Sequence, residues 1–251
     1  MVAGYALVGT AVVLLATSVL TARPGAPVLD RDGYLDRWAA LHHGYDPRAN
    51  AWVRGLLTVS FVVARPLARR GVTPDVLTLW GVWLAGAVYV AAQAGGRWPL
   101  LAAVLVVVSG FGDTIDGAVA AMSGRATRWG VVLDSLADRI SDLAYVLAVW
   151  AVGAPAGLAV ACGVAFGLLE YVRARAGVAG MDEIGVVTVG ERPVRVICCA
   201  GALLGAGALV AHAPQAATLG LAALTTLSAV ALVQLVVVVR RSLAATPPPR
   251  G

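Results

Sequence analysis

Five aspartates lie in or beside two consecutive apolar stretches of the sequence, where charged groups are rare. They are Asp113, Asp116, Asp134, Asp138 and Asp142. The first two are three residues apart and the last three are spaced by four, so each set falls on one face of a helix. A charge in a bilayer costs on the order of 2.5 kcal/mol or more, and carboxylates brought together repel one another. A cation between two facing helices would offset both costs, and clustered oxygen ligands suit Mg²⁺ or Mn²⁺.

The helices that carry these aspartates are predicted to span a membrane. The chain of 251 residues is 59% hydrophobic and 13% charged, whereas a soluble domain has about 25% charged residues. Its apolar runs reach the roughly 20 residues that a membrane-spanning helix needs. The predicted spans are 3–22, 76–95, 98–122, 131–152, 155–176, 194–212 and 216–239. The predicted fold is therefore all-α, a polytopic membrane bundle.

The basic residues give this bundle an orientation. The formal net charge is +5, and all 19 basic residues are arginines. If residues 23–70 are cytoplasmic and the spans alternate from there, every arginine except Arg97 lies at the cytoplasmic side. This bias predicts an N-terminus outside and a C-terminus inside. The positive charge therefore indicates topology and contact with anionic lipid or phosphate, and no nucleic-acid partner is expected.

The chain divides into four predicted segments. A membrane helix at 1–22 is followed by residues 23–71, a cytoplasmic linker that ends in an amphipathic helix, then by a six-helix domain at 72–241. The tail, 242–251, is rich in proline and is predicted to be disordered.

The amphipathic helix of the second segment has an apolar face and a basic face. The apolar residues are Trp52, Leu56, Val59, Val63 and Leu67, and the basic ones are Arg54, Arg65 and Arg69. This pattern predicts a helix that lies on the cytoplasmic leaflet. A short helix buried within the bundle is the alternative.

The segment 113–138, DTIDGAVAAMSGRATRWGVVLDSLAD, resembles the signature of the CDP-alcohol phosphotransferases. Every gap of that signature is correct, and seven of its eight fixed positions agree: Asp113, Asp116, Gly117, Ala120, Gly130, Asp134 and Asp138. The exception is Ala121, where the family has an arginine expected near the nucleotide diphosphate. Arg125 and Arg128, one or two turns further on, are candidates to replace it. A chance match of this length is rare at background residue frequencies.

The resemblance implies a fold, a reaction and a set of site residues. The family has a six-helix core, here covering about residues 50–240, to which the first helix is an addition, and it often forms homodimers. Its enzymes use two metal ions near the cytoplasmic surface, and they transfer a phosphatidyl group from CDP-diacylglycerol to a small polar alcohol in phospholipid biosynthesis. By position, the metal ligands are Asp113, Asp116 and Asp134. Asp138 is the implied catalytic base and is expected as a fourth acid at the same metal site. The expected CDP-binding residues are Asp116, Gly117, Ala120 and Gly130 from the signature, together with Arg125 as a replacement for its arginine.

A second basic cluster indicates the acceptor. It contains Arg173 and Arg175 in EYVRARAG, then Arg192 and Arg195 in GERPVR. These segments resemble those that bind the acceptor phosphate in phosphatidylinositol phosphate synthases, and guanidinium groups match phosphate oxygens. The expected acceptor is therefore a phosphorylated polyol such as inositol phosphate, with glycerol phosphate as the first alternative and a non-phosphorylated alcohol as the second. Anchoring at the cytoplasmic helix ends explains the same arginines without a ligand.

Two other classes of protein share parts of this pattern. Gly110, Gly112 and Asp113 fit the GxGD motif of intramembrane aspartyl proteases, with Asp134 or Asp138 as the second acid. The accompanying Tyr-Asp pair and PAL segment of the presenilin type do not occur within the spans. An ion-coupled transporter would spread its acids along a path through the membrane, whereas these cluster towards one side. Asp142 lies outside the signature and is expected to form an ion pair with Arg139 or a neighbouring helix.

Overall fold

The computed structural model describes residues 2–22, 27–41, 44–181 and 188–245. In these ranges every regular element is a helix, which confirms the all-α prediction. The α-helices are α1 (Val2–Thr21), α2 (Arg31–Leu41), α3 (Ala51–Arg69), α4 (Pro74–Gln93), α5 (Trp98–Ser123), α6 (Arg128–Ala151), α7 (Ala156–Val178), α8 (Arg192–Ala208) and α9 (Ala213–Ala245). Short 3₁₀ turns occur at Pro47–Ala49 and Val210–His212.

Several of these helices can cross a bilayer. Within the described residues, five apolar segments are long enough to do so by length and composition: Ala51–Arg69, Pro74–Gln93, Trp98–Ser123, Ala156–Val178 and Val210–Ala244. The 24 residues of α6 include three aspartates, which lower its hydropathy, and α8 has only 17 residues. The protein is thus a multi-pass membrane protein, as predicted. Because α3 is also long enough to cross, its position on the leaflet stays a prediction.

Helix α2 lies in the segment that the sequence predicts as a linker. Asp30 accepts a hydrogen bond from the Gly33 N–H at 2.9 Å and so caps the start of α2. Tyr34 and Leu35 are each only 1% exposed. The helix is mostly polar in sequence, so it was not predicted, but the burial of these two large apolar side chains stabilises it.

The chain forms two compact units, and the first comprises residues 1–87 and 108–141. We call its apolar core the N-terminal cluster. Its buried members are Tyr34, Leu35, Leu57, Phe61, Ala64, Ala68, Val72, Leu77, Ile115, Ala118, Val119, Ala121 and Met122. The backbone N–H of Leu29 also donates to the carbonyl of Met122 at 3.2 Å. The segment before α4 is therefore packed against one face of α5.

The second unit comprises residues 88–107 and 142–251. Small residues let its segments approach closely: a Cβ on Gly220 of α9 would overlap Ala202 of α8, and one on Gly190, in the turn before α8, would lie 2.6 Å from the Cβ of Ala231. Helix α9 continues to Ala245, beyond the predicted domain end at residue 241. The remainder of the predicted tail, 246–251, lies outside the described residues.

Candidate active site

Three of the predicted metal ligands come together in the first unit. Asp113 and Asp116 lie on α5 and Asp134 lies on α6, and one oxygen of each carboxylate is within 4.8 Å of the others. Asp116 is only 5% exposed. Three carboxylates this close repel one another unless a cation lies among them, and oxygen-only ligands suit Mg²⁺ or Mn²⁺. The group therefore fits a metal site.

Asp138 is placed differently from these three. It is half-buried one turn beyond Asp134 on α6, and its carboxylate lies 3.6 Å from the Arg139 guanidinium. Among the residues described, the group that could hold a metal consists of Asp113, Asp116 and Asp134. The role of Asp138 as a base, and as a fourth acid at the metals, stays a prediction.

Thr78 on α4 is a site residue that the sequence reading missed. Its hydroxyl donates to Oδ2 of Asp116 at 2.6 Å, and the side chain is buried. The bond fixes one oxygen of the most buried acid in the group. The only sequence signal for this role is a polar residue, one turn after Pro74, in an apolar helix. The signal is weak because the hydroxyl of a helical threonine often donates to a backbone carbonyl of the same helix.

A pocket opens beside the carboxylates, and its walls belong to the first unit. It is lined by Pro74, Asp75, Thr78, Asp116, Gly117, Ala120, Arg125, Ala126, Thr127, Gly130, Val131 and Asp134. All five predicted CDP-binding residues are in this set. A Cβ on Gly117 would meet no atom within 4 Å, so the glycine leaves open space next to Asp116. The Thr127 hydroxyl accepts a hydrogen bond from the Gly130 N–H at 2.8 Å, which caps the first turn of α6.

The two candidates to replace the missing signature arginine differ in position. Arg125 lines the pocket, and its guanidinium donates to the carbonyl of Gly71 at 2.8 Å. Arg128 is exposed at the start of α6. Ala121 itself is 5% exposed and belongs to the N-terminal cluster.

The second unit holds the predicted acceptor arginines in a network of ion pairs. Arg195 is 1% exposed. It donates to Asp142 at 2.7 Å, to Glu170 at 2.9 Å and to the Gly190 carbonyl at 2.9 Å. Its guanidinium also lies over the Phe166 ring, 4.7 Å from the centroid. The expected ion pair between Asp142 and a neighbouring helix is confirmed, and Arg195 is its partner.

The other three arginines of this cluster are more accessible. Arg173 donates to Glu191 at 2.8 Å and lies 3.8 Å from Glu170. Arg192 lies 3.9 Å from Asp142, and Arg175 is exposed. Sequence reasoning did not identify Glu191 as the residue that organises Arg173.

Glu191 also receives two hydrogen bonds from Thr188, one from the backbone N–H and one from the hydroxyl, both at 3.0 Å. Burial alone would raise its pKa, but the bonds from Thr188 and the Arg173 guanidinium outweigh this and hold the pKa below its usual range. Glu191 is therefore an ionised carboxylate, and in that form it fixes the position of Arg173.

Comparisons with known proteins show the family to which the chain belongs. The family model described as CDP-alcohol phosphatidyltransferase matches residues 71–237. A phosphatidylinositol phosphate synthase of Corynebacterium glutamicum is 35% identical over 188 residues, covering 72% of this chain and 83% of that protein. An archaetidylinositol phosphate synthase of Methanothermobacter thermautotrophicus is 34% identical, covering 56% of this chain and 76% of that protein.

A solved structure is similar as well. The crystal structure of Mycobacterium tuberculosis phosphatidylinositol phosphate synthase with CDP-DAG bound gives a TM-score of 0.61 at 28% identity, covering 72% of this chain and 94% of that one. These matches favour the phosphotransferase prediction over the protease and the transporter. The chain belongs to the CDP-alcohol phosphatidyltransferase family and is an enzyme of that class.

Proposed function

We propose that the protein transfers a phosphatidyl group from CDP-diacylglycerol to a phosphorylated polyol of the inositol phosphate type and releases CMP. The observation that carries the proposal is the group of three carboxylates beside a pocket with open space at Gly117. The names of the similar proteins, which are phosphatidylinositol phosphate and archaetidylinositol phosphate synthases, support the choice of acceptor.

The donor half of the reaction belongs to α5 and α6. Asp113, Asp116 and Asp134 would hold two divalent ions, Mg²⁺ or Mn²⁺. When bound, such ions neutralise the diphosphate and stabilise the charge that develops in phosphoryl transfer. Gly117, together with Ala120 and Gly130, leaves room for the nucleotide against the helices.

Asp138 is the proposed general base. The acceptor oxygen forms a bond to the phosphorus that carries the diacylglycerol, the bond from that phosphorus to CMP breaks, and the Asp138 carboxylate takes the hydroxyl proton. A carboxylate on α6 one turn after Asp134 suits this role because the helix repeat places both on one face.

The acceptor phosphate is proposed to bind the arginines of α7 and α8. Arg173, Arg175, Arg192 and Arg195 supply guanidinium donors for its oxygens. The carboxylates of Asp142, Glu170 and Glu191 hold Arg195 and Arg173 in fixed positions. We propose that Arg192 and Arg175, which are more accessible than Arg195, make the first contacts with the incoming phosphate.

We also propose that the active site faces the cytoplasm of a cell whose cytoplasmic membrane holds the protein. The support is the distribution of arginine, which puts the loop between α5 and α6 on the same side as nearly all basic residues. Soluble acceptors and CMP would enter and leave on that side.

The test is CMP release by the purified full-length protein, with CDP-diacylglycerol, Mg²⁺ or Mn²⁺, and a panel of acceptors. We expect release to require the metal and to be fastest with inositol phosphate, slower with glycerol phosphate and slowest with inositol. Faster CMP release with glycerol phosphate would show that glycerol phosphate, and not inositol phosphate, is the preferred acceptor. Equal use of inositol and inositol phosphate would contradict a phosphate-binding role for the arginines.

A further inference from the structure

The side chain at position 121 lies in a different environment from the nucleotide pocket. Among the residues described, those of α5 that line the pocket are Asp116, Gly117 and Ala120. Ala121 follows about 100° further around the helix and is 5% exposed in the N-terminal cluster. That cluster includes residues of α2 and α3, which precede the family match at 71–237. An arginine at this position would therefore place its charge among apolar side chains.

Arg125 reaches the pocket from the loop after α5. The chain turns at Gly124, whose φ of 66° is in the left-handed region, and Arg125 follows at the pocket wall. Its guanidinium donates to the carbonyl of Gly71, which lies just after α3 and has a φ of 80°. A carbonyl at the end of α3 thus fixes the position of this cation.

The charges around the pocket favour a further cation beside the proposed metal ions. Asp75, Asp116 and Asp134 line it, and Arg125 is the one basic residue among the described residues that do so. A diphosphate adds further negative charge. A guanidinium has five N–H donors, so the bond to Gly71 is compatible with bonds to phosphate oxygens.

We propose that Arg125 binds the diphosphate of the cytidine nucleotide donor, in place of the arginine that the family signature has at position 121. The segment before α4 contributes to the site in two ways, because it belongs to the same apolar cluster as Ala121 and positions Arg125 through Gly71. The inference rests on the proposed function, since it assumes a CDP-linked donor.

The test measures the affinity of the purified full-length protein for CDP with Mg²⁺ by calorimetry, together with the Michaelis constants for donor and acceptor. Removing one contact to a charged group corresponds to roughly 10- to 150-fold in affinity. We expect Arg125→Ala to weaken CDP binding and raise the donor constant by that amount, with the acceptor constant unchanged. Arg125→Lys should recover part of the loss, because it keeps the charge without the planar fork. Arg69→Ala, which removes an exposed arginine at the end of α3, is the control.

A second pair of variants tests position 121. Ala121→Arg in the Arg125→Ala background should not recover CDP binding, because the new side chain starts in the N-terminal cluster. Recovery in that double variant would overturn the proposal, and so would wild-type CDP affinity in Arg125→Ala. A loss of CDP affinity in Arg128→Ala alone would assign the role to Arg128 and also overturn it.

Failure of the proposed function would look different from failure of this inference. If the wild-type protein bound CDP through Arg125 but released no CMP from CDP-diacylglycerol, the proposed reaction would be wrong while the assignment of Arg125 stood. If CMP release were normal and Arg125→Ala had no effect on CDP affinity, the reaction would stand and the assignment of Arg125 would be wrong. Elution as a folded species in size exclusion would be required of every variant, and Arg125→Lys decides the case if Arg125→Ala does not fold.

Discussion

At the residue scale, Gly117 is a position where substitution should affect nucleotide binding and protein stability differently. A Cβ there would meet no protein atom within 4 Å, although the residue lines the pocket beside Asp116. We expect Gly117→Ala to leave the thermal stability unchanged or slightly higher, because alanine is favoured over glycine in a helix by about 1 kcal/mol. Affinity for CDP, measured by calorimetry, should nevertheless fall because the methyl group occupies space that the nucleotide needs.

Gly167→Ala is the matched control for this substitution. Gly167 is also an exposed helical glycine whose Cβ would meet nothing within 4 Å, and it lies on α7 in the other unit. It should show the same small change in stability with no change in CDP affinity. If the Gly117→Ala protein bound CDP with wild-type affinity, the space beside Gly117 would not be part of the donor site.

Thr78 gives a second prediction, which concerns the metal. Thr78→Val keeps the side-chain shape but removes the hydroxyl that donates to Asp116 at 2.6 Å. Partners of metal ligands typically contribute 10- to 100-fold in metal affinity or activity, so we expect a loss in that range when direct Mn²⁺ binding is measured. Thr78→Ser retains the donor and should remain close to wild type. Equal Mn²⁺ affinity in the valine and wild-type proteins would show that the bond does not position Asp116.

The sequence predicted the site residues that a fixed spacing defines, and it missed those that depend on packing between helices. Asp113, Asp116 and Asp134 follow from spacing within two helices, and the structure brings them together. Thr78 and Glu191 act through partners that lie 38 and 18 residues away in the chain. No local pattern encodes which carboxylate or guanidinium a lone threonine or glutamate will meet.

At the scale of elements, a network of ion pairs joins α7 and α8 to the part of α6 in the second unit. Arg195, with 2% side-chain exposure, lies 2.7 Å from Asp142, whose side chain is 1% exposed. Removing one partner of a buried pair typically costs 3–5 kcal/mol, because the remaining charge loses its partner. We expect Arg195→Gln to lower the free energy of unfolding by about that amount, as measured by thermal unfolding in detergent.

Arg192→Gln is the comparison for this prediction. Arg192 lies 3.9 Å from Asp142, farther than Arg195, and its side chain is 17% exposed, so its loss should lower stability less than the loss of Arg195. It should instead raise the Michaelis constant for inositol phosphate. If Arg195→Gln left stability intact, Arg195 would not be the structural centre of this network.

The long helices of the chain were predictable, whereas α2 was not. Runs of about 20 apolar residues predict α4, α5, α7 and α9. A side chain in such a span needs only to be apolar, whether it contacts lipid or another helix, so the prediction does not depend on knowing its neighbours. Helix α2 has 11 residues and a mostly polar sequence. It depends on Tyr34 and Leu35 joining residues of α3 and α5 in the N-terminal cluster, contacts that a local pattern does not reveal.

At the scale of the whole molecule, the arginine distribution predicts which ends of the helices are outside the cell. Arg97, exposed before α5, should lie outside, and Arg240, exposed near the end of α9, should lie inside. In intact cells a membrane-impermeant maleimide should label Arg97→Cys and not Arg240→Cys, with both labelled after lysis. The wild-type protein supplies the background, which is needed because Cys198 is only partly buried, whereas Cys162 and Cys199 are buried. Labelling of Arg240→Cys alone in intact cells would reverse the orientation and put the donor pocket outside.

The burial of Ala121 has a consequence for the evolutionary history of the sequence. Because Ala121 lies in the N-terminal cluster, its replacement by arginine would bring a charge among apolar side chains, at a cost on the order of several kcal/mol. We therefore expect relatives with a small apolar residue at this position to keep both the preceding segment and an arginine four residues further on. Relatives that lack the segment should keep the signature arginine. The same positive charge would then come from position 121 in one group of relatives and from position 125 in the other.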